Sequence, residues 1–413
     1  MICSPFVTRS TAPLKPLATL VTMFLCLTNI LIAIRVNHAG VDENSSIFTK
    51  EEFAISQRQL RHTIDEHSNL SNTIQTPPFT PQESFGACAL VLNQNHRLTE
   101  WIAYHYFALP LRTLVIAYDP KSTQRATDLL HRWKDVIDII EWEEDDYLPA
   151  NWTEVVKRQN PSDKPIERLI HEHRQVYFMQ QCTLTLAAKN VSRVIHHDVD
   201  EYLRINTDIV KGYDTTRPGH ISYFLNHQNT SKIRWLPNAS CWLFVRLYFI
   251  PWNTATAERD RQNRDDSSWI RSFPLETLNY RYRKTRAQQT GKGIIHLSHL
   301  PTTVLANREN IFEKWMSVHN PLGRPLCQGP WPVATSPLLL NHYLGSYEAY
   351  KFAAQWDPRF RNDSEWERRL GRGKGEPVAD ESMTNWVDAF VKWQSEDVAR
   401  VLLSDAGWRQ NEP

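Results

Sequence analysis

At 413 residues the chain is long enough for one large domain or two smaller ones with a sizeable core, and 47 lysines and arginines against 46 aspartates and glutamates leave it almost neutral. With no basic excess and no block of like charge, nucleic acid is not an expected partner.

Leu17 to Ile34 is an uncharged apolar run between Lys15 and Arg35, just long enough to cross a bilayer core. Arg9 and Lys15 precede it and Asp42 and Glu43 follow, so residues 1–16 are expected in the cytosol, 17–34 in the membrane and the bulk of the chain beyond it. A cleaved signal peptide is the rival reading, but no small-x-small site closely follows Ile34. Residues 35–84 are polar, contain Thr76-Pro-Pro-Phe-Thr-Pro81, and read as a stem. Asn44, Asn69, Asn151, Asn190, Asn229, Asn238 and Asn362 each begin Asn-x-Ser/Thr, all beyond the apolar run, as a lumenal domain would have them. Asn190 abuts a strand and is expected to be too buried for a glycan. Cys88, Cys182, Cys241 and Cys327 admit three pairings in an oxidising lumen; free buried thiols are the alternative.

From Gly86 the pattern changes. Ala87–Leu92 reads as a buried strand and Leu98–Leu109 as a helix; Thr113–Tyr118 is a second strand, Thr123–Trp133 a second helix and Val136–Trp142 a third strand. A long helix, Ile166–Leu186, then leads into a strand at Val191–Ile195. This alternation predicts an α/β domain, a mostly parallel sheet flanked by helices over 85–350. Residues 351–413 form a charged stretch ending in a helical extension, Met383–Leu403, packed on that domain. Parallel sheets bind ligands at the carboxyl ends of their strands. Asn93, Asp119 and Asp198 all fall at such ends.

The strand Val191–Ile195 runs into Asp198-Val-Asp200-Glu201. In an extended segment Asp198 and Asp200 point the same way, and paired carboxylates suit Mg²⁺ or Mn²⁺ holding a diphosphate. Asp198 and Asp200 are therefore the expected metal ligands and catalytic pair, and Glu201 is expected on the other side. Asp119 either contacts a ribose or base or starts an Asp-Pro turn. Asn93 either contacts a nucleotide or caps the helix. His342 is the candidate third metal ligand, with His319, His296 and His299 competing. Glu258, Asp260, Asp265 and Asp266 could supply a general base, but a solvated loop accounts for them better and no base is assigned. Trp235, Trp242, Trp252, Trp269, Trp315 and Trp331 offer flat faces for a sugar or fill the core.

Together, Cys88-Ala-Leu-Val-Leu-Asn-Gln-Asn95 with Glu100-Trp-Ile-Ala-Tyr-His105, Tyr118-Asp-Pro-Lys-Ser122, Gln181-Cys182 and Asp198-Val-Asp-Glu-Tyr202 resemble glycosyltransferase family 92. Cys241-Trp-Leu-Phe244, Gly291-Lys-Gly-Ile-Ile295 and His319-Asn-Pro321 are weaker echoes. The resemblance implies a Rossmann-like GT-A domain, a UDP-linked donor bound through Asn93, Asp119 and Asp198, a divalent metal, and inverting transfer of a hexose, galactose first, to a glycan or polysaccharide. With the anchor, sequons and cysteines read above, the expectation is a single-pass type II Golgi membrane protein with its catalytic domain lumenal. Two departures stand out: Asn93-Gln-Asn95 replaces the family's Lys-Asn-Glu, and His197 its aromatic residue. The alternatives are a non-catalytic glycan- or partner-binding relative and a metal-dependent sugar-nucleotide hydrolase.

Overall fold

In the computed structural model the described residues are 74–77, 83–158, 165–227, 239–251, 273–285, 287, 291–301, 319–320, 322, 326–356, 362–371, 375–404 and 406. The apolar run 17–34, Asn44, Asn69, Asn229, Asn238, the acidic cluster 258–266, Trp235, Trp252, Trp269 and Trp315 lie outside them. Among the described residues no helix is long and apolar enough to cross a membrane.

The first strands, β1 (Phe85–Val91), β2 (Leu111–Tyr118) and β3 (Asp138–Trp142), are parallel neighbours, with β4 (Arg193–Ile195) parallel to β1 on its other side. Beyond β4 come β9 (Gly293–His296), antiparallel, then β6 (Cys241–Leu243) and β10 (Cys327–Gln328). β1 is buried along its length, as a strand covered on both faces must be. Its alternate residues Phe85, Ala87, Ala89 and Val91 join the core that includes the helix Asn95–Ala108. Cys88 faces the other way, toward Phe178, Cys182 and Leu186 of the helix Ile166–Ala188. A Cys88–Cys182 disulfide ties that helix to the sheet and a Cys241–Cys327 disulfide ties β6 to β10. The strand order turns back at β1, which opens a crevice between the carboxyl ends of β1 and β4.

A second, five-stranded sheet was not expected. Its order is β12 (Pro377–Ala379), β8 (Tyr282–Lys284), β7 (Arg246–Ile250), β11 (Leu338–Tyr343), β5 (Glu201–Ile205), and only β7 and β11 run parallel. Short apolar runs buried on both faces carry no sign of strand direction, so periodicity cannot separate the two sheets.

Three local expectations also change. The second helix shrinks to Thr127–His131, because the Asn93 side chain holds residues 122–124 in a loop. The terminal helix is two, Asn385–Gln394 and Glu396–Leu402, broken at Ser395 with φ 83°. Asn190 is exposed, as are Asn151 and Asn362. Residues 74–77 belong to the packed fold: Ile74 is buried, and the Gln394 carboxamide both accepts from the Gln75 N–H and donates to its carbonyl, at 2.8 Å each.

Candidate active site

Asp198, Val199 and Asp200 do not continue β4. They form a turn, closed by the Glu201 N–H donating to the Asp198 carbonyl at 2.9 Å, that carries the chain from the first sheet into β5 of the second. The two carboxylates consequently meet different partners. Asp198 Oδ1 accepts from Lys292 Nζ at 2.8 Å, while Asp200 Oδ2 accepts from Arg97 at 3.0 Å and lies 3.5 Å from His342 Nε2. Mutual repulsion, the sequence-based reason for placing a metal here, is thus already offset by cations of the protein.

These cations arrive from several elements. Arg97 stands in the first turn of the helix Asn95–Ala108 and bridges Asp200 to Glu276, 2.9 Å away in the short helix Glu276–Asn279. Gly345, at φ +75°, makes room for that bridge: a Cβ there would stand 2.3 Å from the Arg97 guanidinium. Lys292 lies between Gly291 and Gly293, where added Cβ atoms would stand 1.3 Å from the Phe244 carbonyl oxygen and 2.5 Å from that of Trp242. Only glycines let this strand come so close to its neighbours. His342 enters by register: β11 pairs it across from Glu201 on β5 and beside Tyr248 on β7. Arg246 on β7 donates to Glu201 at 3.0 Å, and Glu201, fully buried, accepts this bond within the wall of the site.

Burial favours a protonated Asp200, yet His342 and Arg97 hold its carboxyl down to about 2. Asp198 moves upward, burial outweighing Lys292, although 47 % of its side chain is open to solvent. Burial opposes charge on His342, but Asp200 and Glu201 outweigh it and the imidazole is raised. Glu276 is pushed up to about 7 by burial, against the pull of Arg97.

The remaining candidates separate. Asp119 ends β2, but Arg174 takes one oxygen at 3.2 Å and the Lys121 N–H the other at 3.0 Å. Asn93, at φ 52°, caps no helix; its oxygen accepts from Ser122, Thr123 and Gln124, and its buried Nδ2 has no partner. His319 lies near Arg246 and Lys292, which together with burial lower its pKa. His296 and His299 stack on each other at the start of β4, where His296 pairs with Arg193, at the opposite end of that strand from Asp198. Trp242 is core. In the helix Asn95–Ala108, Glu100 accepts from the Glu276 and Thr277 N–H groups and so fixes the short helix that carries Glu276, and Trp101 donates to the Glu201 carbonyl at 3.1 Å and braces the turn. Sequence reasoning missed Arg97, Glu276, Lys292 and Arg246. The glycines beside Lys292, and Gly345, were the available signal.

Among the described residues, no group of three or more His, Cys, Asp or Glu is arranged to enclose a metal ion. Yet Asp200 Oδ1 is buried without a hydrogen-bond partner, at a turn whose other carboxylate is open to solvent. One or two carboxylates completed by phosphate oxygens and water are how Mg²⁺ is usually bound. The residues present fit such an ion, with His342 a ligand only after losing its proton.

The chain matches no family model and no curated protein. Among solved structures it is similar to mouse xyloside xylosyltransferase 1 in its apo form (13 % identity over 58 % of this chain and 78 % of that one, TM-score 0.24). A second is a mannosyltransferase from Pyrobaculum calidifontis in complex with GDP-Man and Mn²⁺ (9 %, 86 % and 83 %, TM-score 0.27). A third is S. aureus TarS 1-349 in complex with UDP (9 %, 77 % and 73 %, TM-score 0.27). Scores this low leave the activity to be argued from the chain's own residues.

Proposed function

We propose that the chain is a divalent-metal-dependent glycosyltransferase that moves a hexose, galactose first, from a UDP-linked donor to a glycan or polysaccharide hydroxyl with inversion. The observation that carries this reading is the unpartnered Asp200 Oδ1 beside the solvent-open Asp198, where the strand order turns back. The resemblance to family 92 over residues 86–350 also supports it.

Asp198 and Asp200 would hold Mn²⁺ or Mg²⁺, which when bound offsets the negative charge growing on a leaving diphosphate. Arg97, Arg246 and Lys292 surround the same turn and offset the charge of its carboxylates, which would otherwise repel a polyanion. The acceptor oxygen bonds to the anomeric carbon as the bond to the diphosphate breaks, and the acceptor proton passes to a general base.

Two disulfides and the exposed Asn151, Asn190 and Asn362 support a lumenal Golgi location, with residues 17–34 as the anchor. One observation favours a non-catalytic glycan-binding relative: every carboxylate of the turn already has a cationic partner. Calorimetry on the detergent-solubilised full chain separates the two. UDP or GDP should bind only with Mn²⁺ present, and Asp198→Ala combined with Asp200→Ala should abolish the Mn²⁺-dependent binding. No nucleotide binding under any condition would sink the transferase in favour of the glycan binder.

A further inference from the structure

We propose that Lys292 is a diphosphate-binding residue that Asp198 holds in reserve, its ammonium passing to the donor when a divalent cation takes the carboxylate. The inference rests on the transferase reading above and adds a residue and an order of events to it.

The cations around the turn are not equivalent. Arg97 is shared between Asp200 and Glu276, and Arg246 is bound to a fully buried Glu201. Losing either arginine from its place would strand a buried carboxylate. Lys292 differs. Its side chain is only 3 % exposed, yet its partner Asp198 is 47 % open to solvent and is itself the residue a metal would claim. If Asp198 changes partner, Lys292 loses its one ion-pair contact and keeps only the longer-range pull of Glu201, and a phosphate oxygen is the natural replacement. The placement is built. Gly291 and Gly293 permit the close approach, and the Phe244 N–H donates to the Lys292 carbonyl at 3.0 Å, so the stem starts from a fixed backbone.

Charge balance then sets the order. A divalent cation arriving alone adds two positive charges where fixed cations already neutralise the carboxylates, and it must displace Lys292 from Asp198. It binds weakly. A diphosphate removes that excess and gives Lys292 a new partner, so metal and diphosphate each strengthen the other, reciprocally.

The test uses the full chain in detergent, with Mn²⁺ alone, then inorganic pyrophosphate and UDP at saturating Mn²⁺. In Lys292→Met, Mn²⁺ alone should bind about tenfold tighter because its competitor is gone, while pyrophosphate and UDP with Mn²⁺ should bind about tenfold weaker. A packing role would weaken both together, and that result, or no change in either, overturns the proposal. Asp198→Asn perturbs the other partner. It should lose the Mn²⁺ dependence and bind pyrophosphate without metal more tightly than the wild type does; metal-free binding no better than wild type also overturns the proposal. Wild-type protein that binds no UDP at any Mn²⁺ concentration sinks the transferase reading and this inference with it. UDP binding left unchanged in Lys292→Met sinks the inference alone.

Discussion

Arg97 shows how much one side chain settles at this site. It joins Asp200 to Glu276 at 3.0 and 2.9 Å from a nearly buried position, so Arg97→Met leaves Glu276 in the interior without its cation and Asp200 with His342 alone. Breaking a buried pair this way costs about 3–5 kcal/mol. Urea unfolding should show that loss, and a variant as stable as wild type would mean that water enters to solvate both acids. Gly345→Ala attacks the same bridge from the opposite wall. The new residue would be held at φ +75° with its Cβ 2.3 Å from the guanidinium, and backbone strain alone costs about 1–3 kcal/mol. Its UDP·Mn²⁺ affinity should fall along with its stability, because the displaced Arg97 no longer holds the Asp200 carboxylate in place. Neither residue stands out in the sequence. An arginine inside a helical run reads as solvated surface until its partners, 103 and 179 residues further on, are known.

At the scale of elements, legibility follows burial. β1, β2, β3 and the two long helices were readable because continuous apolar runs and helical periods are local properties. So was the gathering of Asn93, Asp119 and Asp198 at one end of a parallel sheet, which the β1–β2 and β1–β4 pairings realise. The second sheet was not, because pairing partners and strand direction are long-range. The Asp-x-Asp segment was misjudged as extended because two aspartates around a valine fit a turn and a strand alike. The disulfides belong to this scale too. Cys88–Cys182 closes a loop spanning 94 residues and fastens the helix Ile166–Ala188 to β1 beneath the crevice. Replacing both cysteines by serine should cost about 2–5 kcal/mol. A pulse of reductant that left the unfolding midpoint unchanged would show the covalent tie to be dispensable.

The whole molecule carries an unusual load of neutral histidine. His96, His105, His196, His197, His220 and His296 are buried, and burial is the leading cause that pushes each below its ordinary value, to about 3 or 4 where the shift is definite. A depressed histidine stabilises the fold fully above about pH 6.5, and that stability is lost as pH falls toward the folded value, because the unfolded chain takes up the proton first. Glu100 and Glu276 act in the opposite sense. Burial raises both to about 7, so the folded chain binds their protons first between about pH 4.5 and 7, and acidification there stabilises it. Six histidines outweigh two glutamates, and each unmatched proton changes the slope by about 1.4 kcal/mol per pH unit. Stability measured by urea unfolding should therefore fall steadily from pH 6.5 to 4.5, well before ordinary carboxylates protonate. His220→Gln, which removes one such group away from the turn, should flatten the slope by about one proton. A profile that is level or rises over that interval would mean that these imidazoles are charged in the folded protein. Charged histidines so close to Lys292 would repel it, and the positive wall around Asp198 would then be built differently from the one described.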